Sequence, residues 1–97
     1  MKIDAEKVNV VHNVKGRRFE IEIEQYLAVL EYEMRGNAIL FTHTGVPAPL
    51  EGQGLANRLA KAGLEYAREQ SYQVVPACEF MDVYIRRHAE YEDLLRP

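Results

Sequence analysis

Hydrophobic and polar positions change their spacing along the chain, and each change marks an element. From Arg18 to Glu24 they alternate, with Phe19, Ile21 and Ile23 set against Arg18, Glu20, Glu22 and Glu24. Such alternation predicts an antiparallel strand with one buried face and one wet face. Tyr26 to Met34 is apolar at successive positions at first and alternates later, which predicts a strand that enters beneath cover and leaves toward solvent. Glu24-Gln25 and Arg35-Gly36-Asn37 supply the turns on either side of it. Ala38 to Thr44 is apolar on both faces at its start and predicts an interior strand, stopped by Pro47 and Pro49, neither of which can donate to a ladder. Before these, Val8 to Val14 reads as a short edge strand or an extended lead-in.

The period then lengthens. Leu55, Ala56, Leu59, Ala60, Gly63, Leu64 and Ala67 form a helical stripe, and Asn57, Arg58, Lys61, Glu65, Arg68 and Glu69 form the opposite side. Gln73 to Ala77 follows as a second interior strand, so strand, helix and strand make one right-handed crossover with parallel strands. Pro76 is tolerated there if the two parallel strands part company at that point, because its missing amide then leaves no neighbour unbonded. Glu79 to His88 predicts a further helix, with Phe80, Val83, Tyr84 and Arg87 along one side and Met81 and Ile85 on another, and Ala89 to Leu95 finishes as a short helical turn. The sum is an α+β fold: an antiparallel meander leading into one β-α-β crossover with splayed parallel strands and a short C-terminal helix.

Ninety-seven residues suit a single domain spanning 1–97, large enough for one core and too small for two. A formal net charge of −3 argues against a nucleic-acid partner, which would need a concentrated basic surface. One cysteine excludes an internal disulfide and fits a reducing compartment. The opening residues lack the apolar core of a signal peptide and no run approaches membrane-spanning length, so the expected location is cytoplasmic, with no membrane partner. No His or Cys pair has metal-ligand spacing, and no metal is expected.

The stretch Leu50-Glu51-Gly52-Gln53-Gly54-Leu55-Ala56 leaves a turn and runs straight into the long helix. A helix start carries unpartnered amides and partial positive charge, and glycine lets an anion approach without meeting a Cβ. The same pattern also serves as a tight turn that lets the helix pack closely, and both readings stand on these residues alone. Two familiar phosphate loops do not fit. There is no Gly-Lys-Ser/Thr for a magnesium nucleotide, and Gly52-Gln53-Gly54-Leu55-Ala56-Asn57 lacks the third small residue of a dinucleotide fingerprint.

Taken in order, Glu51-Gly52-Gln53-Gly54-Leu55-Ala56, then Val74-Val75-Pro76-Ala77-Cys78, then Tyr84-Ile85-Arg86-Arg87-His88-Ala89-Glu90-Tyr91 resembles the small stand-alone branch of the GNAT N-acetyltransferase superfamily. The resemblance runs from about Phe19 to Leu95. It implies that acetyl-coenzyme A is the co-substrate, with its pyrophosphate on backbone amides of Glu51, Gly52, Gln53, Gly54, Leu55 and Ala56, Asn57 next in line, and its pantetheine arm in the gap between the parallel strands. Glu51 departs from the Arg or Gln usual at that place, and a carboxylate beside a pyrophosphate repels it. The resemblance also implies that Gly45 and Val46 present backbone groups to the thioester, an amide near Val46 serving the oxyanion.

Tyr84 falls where the family carries a tyrosine near the coenzyme sulfur, a suitable acid for a departing thiolate; a core aromatic beside Phe80 is the alternative. Cys78 matches a cysteine in close relatives and is a thiolate relay, an oxidation sensor or a packed side chain. His43, on the strand leading to Val46, is the general-base candidate, with a structural histidine as the plainer reading. Arg58, Arg86 and Arg87 are candidates for the coenzyme phosphates, or else solvate a helix face. His12 is isolated, and His88 looks first like a helix-ending feature.

Two functions follow from the resemblance. One is an acetyltransferase in which an amine of unknown identity, small molecule or protein, attacks the thioester directly. The other is a non-catalytic coenzyme-binding or protein-interaction module, because Arg18 to Met34 leaves room only for a hairpin where larger GNAT enzymes place acceptor-site helices.

Overall fold

The computed structural model describes residues 2–96. Five strands form one sheet in the order β1-β2-β3-β4-β5, the order of the chain itself. They are β1 (Val11–Asn13), β2 (Arg18–Ile23), β3 (Tyr26–Arg35), β4 (Ala38–Gly45) and β5 (Gln73–Pro76). Neighbours are antiparallel through β4, and β5 runs parallel to β4. Helix α1 (Leu55–Gln70) joins β4 to β5, α2 (Glu79–Arg87) follows, and 3-10 turns occupy Ala48–Leu50 and Ala89–Leu95. The α+β meander and single crossover expected from the spacing are present.

Local chemistry explains the elements. Ile23 pairs with Tyr26 across a two-residue turn in which Glu24 takes φ +55, and Arg35 pairs with Ala38 across Gly36 at φ +57. The alternating residues Phe19, Ile21, Ala28, Leu30, Tyr32, Ile39 and Phe41 are buried together with Val74 and the apolar stripe of α1. Gly63 lies at the closest approach of helix and sheet: a Cβ there would stand 2.9 Å from both Leu30 Cδ2 and Phe41 Cε1. The other face of the sheet carries Glu22 and Glu33, exposed, and Leu27, Val29, Glu31 and Leu40, half-buried.

Three expectations need correction. The lead-in strand is shorter than Val8 to Val14, pairing only over Val11–Asn13. Strand β5 is an edge of the sheet, not an interior strand: it pairs with β4 alone, and its apolar content is covered from outside by the Ala89–Leu95 turn, whose Leu95 carbonyl accepts from Gln73 Nε2 at 3.4 Å. On α2 the buried stripe is Met81, Tyr84 and Ile85, while Arg87 is exposed and Phe80 and Val83 are half-buried. The i, i+3, i+4 spacing from Met81 is as regular as the one from Phe80; contact with the core decided between them.

Two irregularities of β4 shape the end of the sheet where the chemistry belongs. Opposite Glu31 and Tyr32 the pairing steps from His43 to Phe41, so Thr42 is an extra residue in β4, its Oγ1 donating to Glu31 C=O at 3.4 Å. Simple alternation would set His43 on the face of Ile39 and Phe41. The bulge turns it outward and turns Thr44, the partner of Leu30, inward. The second irregularity is where the parallel ladder ends. Its last pair is Phe41 with Pro76; β4 continues from Thr42 to Gly45, while the Ala77 amide bonds back to Val75 C=O at 3.0 Å and the chain leaves the sheet. Proline at the last paired position cannot extend the ladder, which is the splay expected from the sequence.

Candidate functional site

The mouth of α1 opens beside that splay. Gly52 (φ +77) and Gly54 (φ +85) both take left-handed backbone, which places the turn within reach of glycine and strains any other residue. Around Gly52 a Cβ would meet nothing within 4 Å, so the glycine is required there by conformation, not by crowding. Gly54 caps the helix without a side-chain acceptor, and no acidic residue occupies the first turn. The first internal bond of the helix runs from the Arg58 amide to Gly54 C=O at 3.1 Å. Among the described residues, the amides of Leu55, Ala56 and Asn57 therefore have no acceptor in the chain. With the helix dipole behind them they form a seat for an anion.

A hollow of about 290 Å³ lies over this mouth, lined by Val46, Leu50, Glu51, Gly52, Gly54, Leu55, Ala56, Asn57 and Phe80. It adjoins a second one of about 400 Å³, which shares Gly54 and Asn57 and adds Ala5, Glu6, Arg58, Lys61 and Tyr84. Together they make a groove of the size small-molecule sites have. Arg58 and Lys61 give its outer part positive charge, and Phe80 gives its inner part an apolar wall.

The sequence candidates distribute unevenly over this geometry. Val46, Glu51, Gly52, Gly54, Leu55, Ala56 and Asn57 come together in the first hollow. Glu51 is exposed and its amide is already spent on Ala48 C=O at 3.2 Å, so it offers the site no backbone donor. Gln53 lines neither hollow, and its side-chain Oε1 accepts from the Ile3 amide at 2.7 Å. Arg87 is exposed and outside both hollows, and Arg86 is held by Asp82 at 2.6 Å.

Tyr84 borders the second hollow, and its ring is tightly fixed. His88 stacks on it with centroids 3.9 Å apart and 14° between planes, and His88 Nδ1 hydrogen-bonds Tyr84 C=O at 2.8 Å. His88 thus ends the helix and braces the tyrosine. Burial, then the Glu90 and Glu65 carboxylates, push the Tyr84 phenol above its ordinary pKa, which keeps its proton in place at neutral pH. Cys78 precedes α2 and shares a hydrogen bond with Thr44 Oγ1 at 3.5 Å, in the wedge opened by the splay. His43 is exposed on the outer face opposite Glu31, its Nε2 3.0 Å from where a Gly45 Cβ would be. It is not brought to the groove.

His12, which looks isolated in the sequence, is not. It stacks on Phe19 at 4.2 Å, meets Tyr66 edge-on at 4.4 Å and hydrogen-bonds the Tyr32 hydroxyl at 2.6 Å, and burial lowers its pKa. Sequence reasoning missed Phe80, Leu50, Lys61, Ala5 and Glu6 as lining residues. Phe80 was discoverable, one turn ahead of Tyr84; nothing in the sequence signals that Ala5 and Glu6 reach the groove.

A family model described as GCN5-related N-acetyl-transferase matches residues 18–94. The chain belongs to the GCN5-related N-acetyltransferase family. Protein NATD1 of Gallus gallus is 32% identical over 95 residues, covering 93% of this chain and 86% of that protein. Protein NATD1 of Homo sapiens is 30% identical, covering 93% and 84%. The solution structure of a GCN5-like protein from Staphylococcus aureus superposes with a TM-score of 0.73 at 29% identity, covering 90% of this chain and 86% of that one. Within this family frame, the amide seat at the α1 mouth and the splayed strands beside it are the features that bear on chemistry.

Proposed function

We propose that this chain is an acetyl-coenzyme A-dependent N-acetyltransferase, and one juxtaposition carries the reading. The unpartnered amides of Leu55, Ala56 and Asn57 open beside strands that part after Phe41 and Pro76. Those amides would hold the coenzyme diphosphate, with Arg58 and Lys61 beside them for the outer phosphates. Residues Thr42 to Gly45, free of β5, would leave room for the thioester arm to run alongside β4.

In the reaction the amine nitrogen bonds to the acetyl carbon and the carbon–sulfur bond breaks. The Val46 amide is the donor suited to the charge that gathers on the carbonyl oxygen. Tyr84, protonated at neutral pH, is the acid that the likeness to the family offers the departing thiolate, and the amine proton passes to solvent. The hairpin at Glu24-Gln25 leaves the outer sheet face half-open, which favours a bulky or protein-borne amine over an enclosed small molecule. The same hairpin is what supports the second reading, a coenzyme-binding or protein-contacting module without turnover.

Release of free thiol from acetyl-coenzyme A with a panel of polyamines, amino acids and peptides tests the enzyme. Turnover above the hydrolysis blank is expected; coenzyme binding without turnover would select the module. Replacing Tyr84 with Phe should slow turnover by about 10²-fold, the scale of a lost general acid, with coenzyme affinity nearly unchanged. An unaltered rate would remove Tyr84 from the mechanism.

A further inference from the structure

A segment far from the groove in sequence lies across it. The Ile3 amide donates to Gln53 Oε1 at 2.7 Å, between the two left-handed glycines. Ala5 C=O accepts from Arg58 Nε at 3.2 Å, and the Ala5 Cβ stands 3.4 Å from the place of a Gly54 Cβ. The segment holds its own shape: Asp4 Oδ1 accepts the Glu6 amide at 3.0 Å and Asp4 C=O accepts the Lys7 amide at 3.0 Å. Ile3 and Ala5 pack half-buried on the edge of the core.

We propose that Ile3–Lys7 is a strap that competes with the coenzyme phosphates for Arg58 and for the hollow beside the α1 mouth, so that it must lift before that hollow fills. This rests on the coenzyme reading above. The strap engages the groups an incoming polyanion would recruit, Arg58 above all, and it puts the acidic residue Glu6 on the wall of the hollow shared by Asn57, Arg58, Lys61 and Tyr84. A polyanion entering that hollow meets like charge, and the guanidinium it needs is turned toward a strap carbonyl. The attachment is light, a pair of hydrogen bonds and two small apolar contacts, which suits a segment that opens locally while the core stays folded.

Coenzyme A binding measured by calorimetry distinguishes the cases, using the full chain, E6Q, Ile3→Pro, and a chain starting at residue 8. A strap closed about nine-tenths of the time raises the apparent Kd roughly tenfold, so the shortened chain should bind roughly tenfold tighter. Ile3→Pro, which lacks the amide donor, and E6Q, which lacks the charge, should each recover part of that gain, E6Q with an unchanged melting temperature. Equal or weaker binding by the shortened chain and by both substitutions overturns the strap while leaving the coenzyme site intact. If no form binds coenzyme A, the coenzyme reading itself fails, and inorganic pyrophosphate then reads the strap alone: tighter binding by the shortened chain supports it, and no difference overturns it.

Discussion

Helix α1 has open space at both ends, and the ends differ in what their backbone groups are doing. At its C-terminal end Asn37, Arg68, Ser71, Tyr72, Gln73, Asp93, Leu94 and Arg96 surround about 440 Å³, against adjoining hollows of about 290 and 400 Å³ at the N-terminal mouth. At the C-terminal end the backbone groups that close the helix, and the Arg68–Asp93 pair, already have partners. Arg68 grips Asp93 through both terminal nitrogens at 2.9 and 3.0 Å and reaches Glu90 C=O at 2.6 Å. The amide of Ser71 at φ +59 turns back onto the last turn of the helix, the Tyr72 amide closes on Ala67 C=O at 2.9 Å, and Asn37 Nδ2 covers Ser71 C=O at 2.9 Å. The N-terminal mouth keeps the free amides of Leu55, Ala56 and Asn57. A site needs groups that still lack partners, and volume does not supply them.

The largest effect should come from the open mouth. Gly54→Val places a β-branched residue at φ +85, costing about 1–2 kcal/mol of folding stability. In a chain starting at residue 8, where Ala5 no longer stands against position 54, the added side chain obstructs the approach to the amides, so coenzyme A affinity should fall at least roughly tenfold, a loss of about 1.4 kcal/mol or more. Affinity within twofold of the parent in calorimetry would mean that the ligand does not sit there.

Midway along the helix, Gly63→Ala disturbs both ends alike. The added Cβ meets Leu30 and Phe41 side chains at 2.9 Å, an overpacking cost of about 1–3 kcal/mol that the better helix propensity of alanine offsets by about 1 kcal/mol. A net loss of about 1 kcal/mol should lower the melting temperature by roughly 4–8 °C. An unchanged melting temperature would show that helix and sheet separate at no cost.

At the closed end, Arg68→Ala should lower the melting temperature slightly and leave coenzyme affinity alone, because its partners are all internal and solvent-exposed. A fall in affinity matching that of Gly54→Val would abolish the distinction between the two ends. The smallest effect concerns His12, which packs on Tyr66 toward the closed half of α1. Its folded pKa lies below the ordinary value of 6.5, so its contribution to stability is present above that value and lost as the pH falls through the folded one. Melting temperature should therefore drop between about pH 7 and 5, and drop less in His12→Phe. An equal slope in both would assign the drop to other groups.

Much of the architecture was legible because side-chain periodicity and backbone geometry share one origin. Phe19, Ile21 and Ile23 alternate because a pleated strand alternates, and Leu55 to Ala67 repeat every three to four residues because a helix does. The glycines at 52 and 54 announced a turn running into a helix start, and Pro76 announced the end of the parallel ladder. Where two stripes were equally regular, as on α2, periodicity could not choose which one meets the core.

By itself, then, the sequence determined the order of strands and helices, the turn at the α1 mouth, the place where β4 and β5 part and the family to which the chain belongs, since each is written in neighbours a few residues apart. Tertiary structure alone decided that Thr42 is a bulge and turns His43 outward, that β5 is an edge, that His88 braces Tyr84, and that Ile3 to Glu6 lie over Gln53 and Arg58. Side-chain direction after a bulge and contacts across fifty residues depend on how completed elements dock. Docking follows from the shape and partners of the whole assembly, which no local spacing records.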